Sequence, residues 1–161
     1  MSEKAVITEK KSACVEITRH FAAARDLVFR AHTDPELLPH WLGPAKYAMR
    51  IDEFDVRDGG RWRYVSLGED GAEFGFRGVF HGTPSPDLVH QTWEYEGAAG
   101  NVAFQRMSME ETEDGGTLLR ATVCYMDVEA LEADLAHGME EGMNEGYGRL
   151  DYLLATLAPV S

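Results

Sequence analysis

A turn signal recurs about every dozen residues between positions 47 and 126, and this spacing restricts the fold more than any other feature of the sequence. The segments between the turns are rich in β-branched and aromatic residues, as strands are. We predict six strands, at residues 47–57, 61–67, 73–81, 88–96, 101–111 and 117–126. Loops of hairpin length join them, so the region predicts an antiparallel meander.

The residues before the meander predict one further strand and two short helices. Residues 12–21 alternate apolar and polar side chains, which is typical of a half-buried strand. Residues 22–32 have apolar side chains at helical spacing, and this helix should end before Pro35 because a residue preceding proline avoids helical backbone angles. A second short helix is predicted over residues 36–41.

A long C-terminal helix is predicted over residues 128–157, with Asp127 as its N-cap. Its apolar face also contains Gly138, Gly142 and Gly146. A glycine inside a helix costs about 1 kcal/mol relative to alanine, so something must compensate for three of them. We expect a helix that crosses the concave face of a curved sheet, close to it in one place and above a void in another. Tight helix-to-strand packing alone is the alternative.

Short motifs follow one another in order along residues 12–157. They are LVFRAHTDPELL from residue 27, WLGP from 41, DVRDGGRW from 55, FRGVF from 76, TWE from 92, GGT from 115 and GMEEG from 138. Together they resemble the family named after the activator of the ninety-kilodalton heat-shock chaperone ATPase, within the START-like (SRPBCC) superfamily.

The resemblance implies an α+β helix-grip (START-like) fold. In this fold a curved antiparallel sheet of six or seven strands wraps around a long C-terminal helix, and two short helices follow the first strand. We expect a single domain at residues 12–158, with flexible termini at 1–11 and 159–161. Relatives often carry a carboxylate where this chain has Gly82 and a histidine where it has Val123, so those catalytic groups would be missing here.

The resemblance also implies a deep cavity between the sheet and the long helix, and we place a candidate ligand-binding site there. Its predicted residues are Trp41, Met49, Ile51, Phe76, Gln91, Trp93, Gln105, Met107, Met139, Met143 and Tyr147. Two roles are open for Trp41, closing the mouth of the cavity or packing against the sheet edge. Gln91 and Gln105 either orient a polar group of the ligand, or bond a neighbouring backbone or face solvent.

Composition and charge restrict location and partners. Fifteen Lys and Arg against 28 Asp and Glu give a net charge of −13, which argues against nucleic acid and anionic membranes as partners. The sequence has neither an apolar run of the ~20 residues that cross a bilayer nor an apolar signal segment, so we expect a cytoplasmic protein. Cys14 and Cys124 are then expected to be small apolar side chains.

The six histidines lack zinc-like spacing, so we expect no metal and no other cofactor. His32 and His40 lie on the short helices, where either is a candidate for titration near neutral pH. The alternative for an isolated histidine is an ordinary surface residue.

Three functions from different classes fit these observations. The leading hypothesis is a protein that binds a small hydrophobic or aromatic molecule. The second is a cyclase, dehydratase or hydrolase acting on a hydrophobic substrate, which we rank lower because no nucleophile or phosphate-binding motif occurs. The third is a module that regulates a chaperone ATPase or binds another regulatory protein through its acidic surface. A homodimer would cover open sheet edges.

Overall fold

The computed structural model describes residues 12–158. The predicted flexible termini, 1–11 and 159–161, lie outside the described residues. The main element is a curved, antiparallel seven-stranded sheet, which confirms the predicted fold class. Its strands are β1 Cys14–Phe21, β2 Ala48–Phe54, β3 Arg61–Leu67, β4 Glu73–Ser85, β5 Leu88–Tyr95, β6 Ala103–Glu111 and β7 Thr117–Cys124. Their order is β1-β7-β6-β5-β4-β3-β2, so β2 to β7 form the predicted meander.

The strand β4 is longer than the sequence suggests. The segment after His81 contains Gly82 and Pro84 and was predicted to be a turn, but the strand continues to Ser85. The register between β4 and β5 shifts after His81, and Gly82 has a φ of +79°. A bulge of this kind absorbs glycine and proline without ending a strand.

The connection between β1 and β2 contains the helix α1, Arg25–Thr33, and a 3-10 turn at Leu38–His40. The helix ends at Thr33 with Asp34 as its C-cap, before Pro35 as the sequence predicts. The second predicted helix is wrong in extent, because only the 3-10 turn forms. Pro39 has no amide hydrogen to donate to a helical bond.

Two helices occupy the region where one long helix was predicted. They are α2, Val128–Ala136, and α3, Met139–Leu157. Asp127 is confirmed as the N-cap of α2, since its carboxylate accepts from the Ala130 amide at 2.8 Å. The break comes at Gly138, whose φ of +88° is a left-handed value that glycine adopts readily. None of the helices within residues 12–158 is long and apolar enough to cross a bilayer.

The two halves of α3 have different surroundings. Leu150 and Leu154, in its C-terminal half, are buried in the main core together with Val28 of α1 and Phe21 of β1. Met143, in its N-terminal half, is only partly buried. The molecule is therefore packed solidly where α1 and the end of α3 meet the sheet, and less solidly under the start of α3.

The two cysteines form a disulfide, which corrects the expectation of two free apolar side chains. Cys14 and Cys124 are direct partners in the β1–β7 ladder, and their Cα atoms lie 4.1 Å apart. They are 110 residues apart in sequence, so their pairing depends on a strand register that a count of cysteines does not reveal.

Candidate functional site

A cavity of about 320 Å³ lies between the concave face of the sheet and the N-terminal half of α3. This volume is at the lower end of the range for small-molecule sites. Its walls come from all seven strands, α1, the 3-10 turn and both C-terminal helices. Most lining side chains are aromatic or aliphatic, so the cavity favours an apolar occupant.

The structure brings eight of the predicted site residues together around this cavity. They are Trp41, Gln91, Trp93, Gln105, Met107, Met139, Met143 and Tyr147. Strand alternation places four of them, Gln91, Trp93, Gln105 and Met107, on one wall, because residues two apart on a strand share a face. Their role in binding a ligand stays a prediction.

Met49, Ile51 and Phe76 do not line the cavity. Met49 and Ile51 lie on β2, at the edge of the sheet. Phe76 shares a face with the cavity residues, but its ring packs against Tyr64 and Trp93, with ring centroids at 5.1 and 5.5 Å. Alternation predicts a face of the sheet, whereas the distance along the strand decides whether a side chain reaches the cavity.

The sequence-based prediction missed more than half of the lining residues. Those with aromatic or polar side chains are His32, Thr33, Phe54, Trp62, Tyr64, Phe80, Tyr125 and Asp134. One signal could have found Trp62. It pairs with Gly78 of β4, and a Cβ there would lie 2.5 Å from the indole ring. A glycine opposite a tryptophan on neighbouring strands therefore indicates a ring lying across the sheet.

Trp41 is held firmly in the cavity wall. Its indole nitrogen donates to the Ala31 carbonyl at 3.0 Å, and its ring stacks on Tyr147 with centroids 6.2 Å apart. The side chain is buried, with 4% of its surface exposed. Of the two roles left open by the sequence, these contacts favour packing over gating.

The glycines of α3 confirm that the helix is close to its neighbours in one place and stands off a void in another. At Gly146 an added Cβ would lie 3.1 Å from the Trp41 carbonyl oxygen, so this glycine permits close approach. At Gly142, which lines the cavity, an added Cβ would meet nothing within 4 Å. Gly148 also faces open space but does not line the cavity.

The three glycines should therefore respond differently to alanine. We expect Gly142→Ala and Gly148→Ala each to raise the free energy of unfolding by about 1 kcal/mol, since alanine is the better helix former and nothing obstructs it. The Gly146→Ala variant should be stabilised less, or destabilised, because the Trp41 carbonyl oxygen must move to make room for the added Cβ. Urea denaturation of the three variants measures the differences. Equal gains at all three positions would contradict the close approach at Gly146.

Two glutamines form a polar pair on the sheet wall. Gln91 and Gln105 are register partners on β5 and β6, and the Gln91 amide nitrogen donates to the Gln105 side-chain oxygen at 2.7 Å. Both line the cavity. This bond uses one donor of Gln91 and the acceptor of Gln105. The second Gln91 N–H and the Gln105 amide nitrogen are further donors that the pair itself does not use.

His32 and Trp62 each present a buried polar atom that lacks a hydrogen-bond partner among the described residues. These atoms are His32 Nε2 and Trp62 Nε1. His32 Nδ1 lies 2.7 Å from the Val28 carbonyl, and the His32 ring packs edge-on against Trp41 at 4.8 Å. Burial lowers the pKa of His32 to about 4. The expectation that His32 titrates near neutral pH is therefore wrong, since the folded protein holds it neutral.

A phenol and a carboxylate meet at the α2 end of the cavity. The Tyr125 hydroxyl donates to the Asp134 carboxylate and lies 3.3 Å from the Met139 sulfur. Burial, followed by the bond to Asp134, raises the pKa of Tyr125 above its usual range. With His32 neutral, Asp134 is the one lining side chain among residues 12–158 that carries a formal charge. Groups of three or more His, Cys, Asp or Glu suited to a metal do not occur in these residues.

Comparison with known proteins identifies the family. The family model described as Activator of Hsp90 ATPase homolog 1-like protein matches residues 22–155. The chain belongs to this family. The match contains α1, the 3-10 turn, β2 to β7, α2 and most of α3, and so nearly all of the cavity wall. No curated protein matches the chain.

Solved structures of similar proteins share the fold of this chain. A crystal structure of a Rhodobacter sphaeroides protein is 31% identical, covers 96% of this chain and 100% of its own, and has a TM-score of 0.84. A Mycobacterium smegmatis protein is 25% identical over 89% of this chain and 91% of its own, with a TM-score of 0.79. A Silicibacter pomeroyi protein, named for the same family, is 23% identical over 91% of this chain and 100% of its own, with a TM-score of 0.72.

Proposed function

We propose that this protein binds a small hydrophobic or aromatic molecule in the cavity between the sheet and α3. The observation that supports this most is the void under Gly142, about 320 Å³ in volume and walled largely by aromatic and aliphatic side chains. Protein interiors are normally packed with few voids larger than a water molecule. An apolar guest would make contacts that these walls otherwise lack.

The surroundings of the cavity also favour a binding function. Leu150 and Leu154 show that the same helix packs fully a few residues further on. The open space therefore depends on local residue choice, with glycine at 142 and flexible methionines at 139 and 143. Methionine adapts to ligands of different shape, which suits a binding wall.

Filling the cavity from α3 tests the proposal directly. Titration with the neutral fluorescent probe N-phenyl-1-naphthylamine should show saturable binding to the wild-type protein. Gly142→Leu should weaken that binding about tenfold or more, because the new side chain occupies the space where part of the probe would lie. Gly148→Leu is the matched control, since it adds the same side chain to the same helix outside the cavity.

Two results would contradict this function. One is the absence of saturable binding by the wild-type protein, both to the probe and in native mass spectrometry after gentle purification. The other is an equal loss of binding in the Gly142→Leu and Gly148→Leu variants at unchanged melting temperatures, which would place the probe elsewhere on the molecule.

An observation that supports the enzymatic alternative is that His32 is a cavity histidine with a displaced pKa. The displacement is in the unfavourable direction, however. A general base works best with a pKa near the working pH, and a histidine lowered to about 4 is a weak base. Proton transfer by this histidine is therefore unfavourable.

We rank regulation of a chaperone ATPase or another protein partner below ligand binding. The cavity is a feature of this chain, whereas the chaperone role rests on the description of the family. A salt-sensitive pull-down with the host chaperone would test it. Cytoplasmic location likewise stays a proposal, and the Cys14–Cys124 disulfide weighs against it because disulfides persist mainly in oxidising compartments.

A further inference from the structure

The glutamine pair, Gln91 and Gln105, is a polar spot between apolar neighbours on the sheet wall. In the strand register the two residues stand in one row with Phe80 of β4 and Val123 of β7. Phe80 and Val123 are buried, and all four residues line the cavity. Polar groups in apolar surroundings are costly unless they are hydrogen-bonded, so the bonding needs of this pair restrict what can lie against it.

One hydrogen bond joins the two amides and leaves most of their bonding groups unused. Two primary amides have four N–H groups and two carbonyl oxygens. The Gln91 nitrogen donates to the Gln105 oxygen at 2.7 Å, which uses one N–H and one oxygen. Three N–H groups and one oxygen remain, and this count is the same whichever amide donates. Within the described residues neither amide bonds any other group.

The unused groups are open to the cavity. Gln91 and Gln105 are both half-buried. Among residues 12–158, the fully buried side-chain polar atoms without a partner belong to His32 and Trp62, so Gln105 Nε2 and Gln91 Oε1 keep accessible surface. Both glutamines lie on the concave face of the sheet and line the cavity, so a guest molecule there can contact these atoms.

The charge of the wall decides which acceptor fits these donors. Within residues 12–158 the lining contains no lysine or arginine, and its one charged side chain is the Asp134 carboxylate. The chain as a whole has a net charge of −13. A carboxylate guest would lose its hydration without gaining a cation, which is strongly unfavourable. The donors are therefore suited to an uncharged acceptor, such as the carbonyl oxygen of a ketone or an amide.

From these contacts we infer that the guest is an uncharged molecule with an apolar or aromatic body and a carbonyl-type acceptor, and that the Gln91–Gln105 pair binds this acceptor. The inference rests on the proposed function and narrows its ligand class. Carboxylates are the class it rejects. Hydrocarbons would bind without any contribution from the pair, because they leave its donors without a partner.

Four naphthalene compounds of similar shape separate these classes. In 2-isopropylnaphthalene a methyl group replaces the carbonyl oxygen of 2-acetylnaphthalene, and 2-naphthamide is the neutral counterpart of 2-naphthoate. Each compound competes at pH 7 with N-phenyl-1-naphthylamine bound to the wild-type protein. We expect 2-naphthamide to bind at least tenfold more tightly than 2-naphthoate, because only the amide enters without loss of a charged group's hydration.

A double variant connects the preference to the glutamines. Gln91→Met/Gln105→Met removes both amides and keeps side chains of similar length. Replacing both partners of a hydrogen bond by apolar groups of the same shape is nearly neutral for stability, so this variant should fold. The ratio of the affinities for 2-acetylnaphthalene and 2-isopropylnaphthalene should fall about tenfold relative to the wild-type ratio, as expected for one lost hydrogen bond. The ratio cancels the different hydration of the two compounds and any common effect of cavity shape.

Infrared spectroscopy tests the same contact in the wild-type protein, without a substitution. A difference spectrum between 2-acetylnaphthalene with an ordinary and an isotope-labelled carbonyl isolates the stretching band of the bound ketone. Donation from an amide N–H weakens the carbonyl bond, so the band should lie at a lower frequency than in an apolar solvent. A band at the apolar-solvent frequency would overturn the inference even if the double variant did not fold.

The outcomes distinguish the inference from the proposed function. If the fluorescent probe binds but the affinity ratio is unchanged in the folded double variant, the pair does not bind the acceptor, and the inference is overturned while the binding function stands. Binding of 2-naphthoate as tight as that of 2-naphthamide overturns the uncharged guest in the same way. If neither the probe nor any of the naphthalene compounds binds, both the inference and the proposed function fail.

Discussion

Reduction of the Cys14–Cys124 disulfide is expected to lower the free energy of unfolding by about 4 kcal/mol. The bond joins residues 110 positions apart, so cutting it frees a long loop and increases the entropy of the unfolded chain. It also ties the edge strand β1 to β7. Urea denaturation with and without dithiothreitol, under otherwise identical conditions, measures the loss.

The Cys14→Ser/Cys124→Ser double variant is the control for this measurement. Its stability should match that of the reduced wild-type protein and should not respond to dithiothreitol. The cavity-lining residues Val123 and Tyr125 flank Cys124, and alternation along β7 directs the cysteine to the other face. We therefore expect probe binding to survive in the folded variant. Two free thiols per chain in unreduced, denatured protein would show that the bond does not form.

The meander was predictable because its turns carry local signals. The predicted third strand and β3, Arg61–Leu67, have the same bounds, since an Asp-Gly-Gly turn precedes the strand and a Glu-Asp-Gly turn follows it. β4 was predicted too short, because Gly82 and Pro84 resemble a turn when read alone. Pairing with β5 allows the strand to continue to Ser85, and that pairing is not visible in the local sequence.

The helices α2 and α3 likewise have features that the local sequence predicts and others that depend on tertiary contacts. The Asp127 N-cap was predictable from local sequence, because its carboxylate bonds the amide of Ala130, three residues further along the chain. The regular spacing of Gly138, Gly142 and Gly146 indicated a special surface, but it did not show that one glycine breaks the helix, one touches Trp41 and one faces a void. Those differences depend on what lies opposite each glycine, which the helix's own sequence does not contain.

Part of the candidate site was predictable for a related reason. Alternation along β5 and β6 identified Gln91, Trp93, Gln105 and Met107 as one wall. Alternation did not show that Phe76 lies outside the cavity lining, or that His32 of α1 is part of it. The disulfide was missed because it depends on the register between the first and last strands.

Acidification should destabilise this protein through His32. The imidazole has a pKa of 6.5 when free and about 4 in the folded protein, where burial lowers it and the Val28 carbonyl only partly opposes the shift. Between these pH values the unfolded chain binds a proton that the folded protein does not. Stability therefore falls as the pH decreases from about 6.5 towards 4, by up to about 3 kcal/mol at roughly 1.4 kcal/mol per pKa unit.

Urea denaturation at a series of pH values between 6.5 and 4.5 measures this slope. Over this range most of the effect of the carboxylates is avoided, because Asp52, Glu94 and Glu96 have lowered pKa values and lose their stabilising contribution mainly at lower pH. His32→Phe keeps a ring against Trp41 and should flatten the profile. His40→Phe, the same substitution at an exposed position on the adjoining turn, is the matched comparison. A slope that persists in the folded His32→Phe variant would show that another group causes it, and would contradict the lowered pKa of His32.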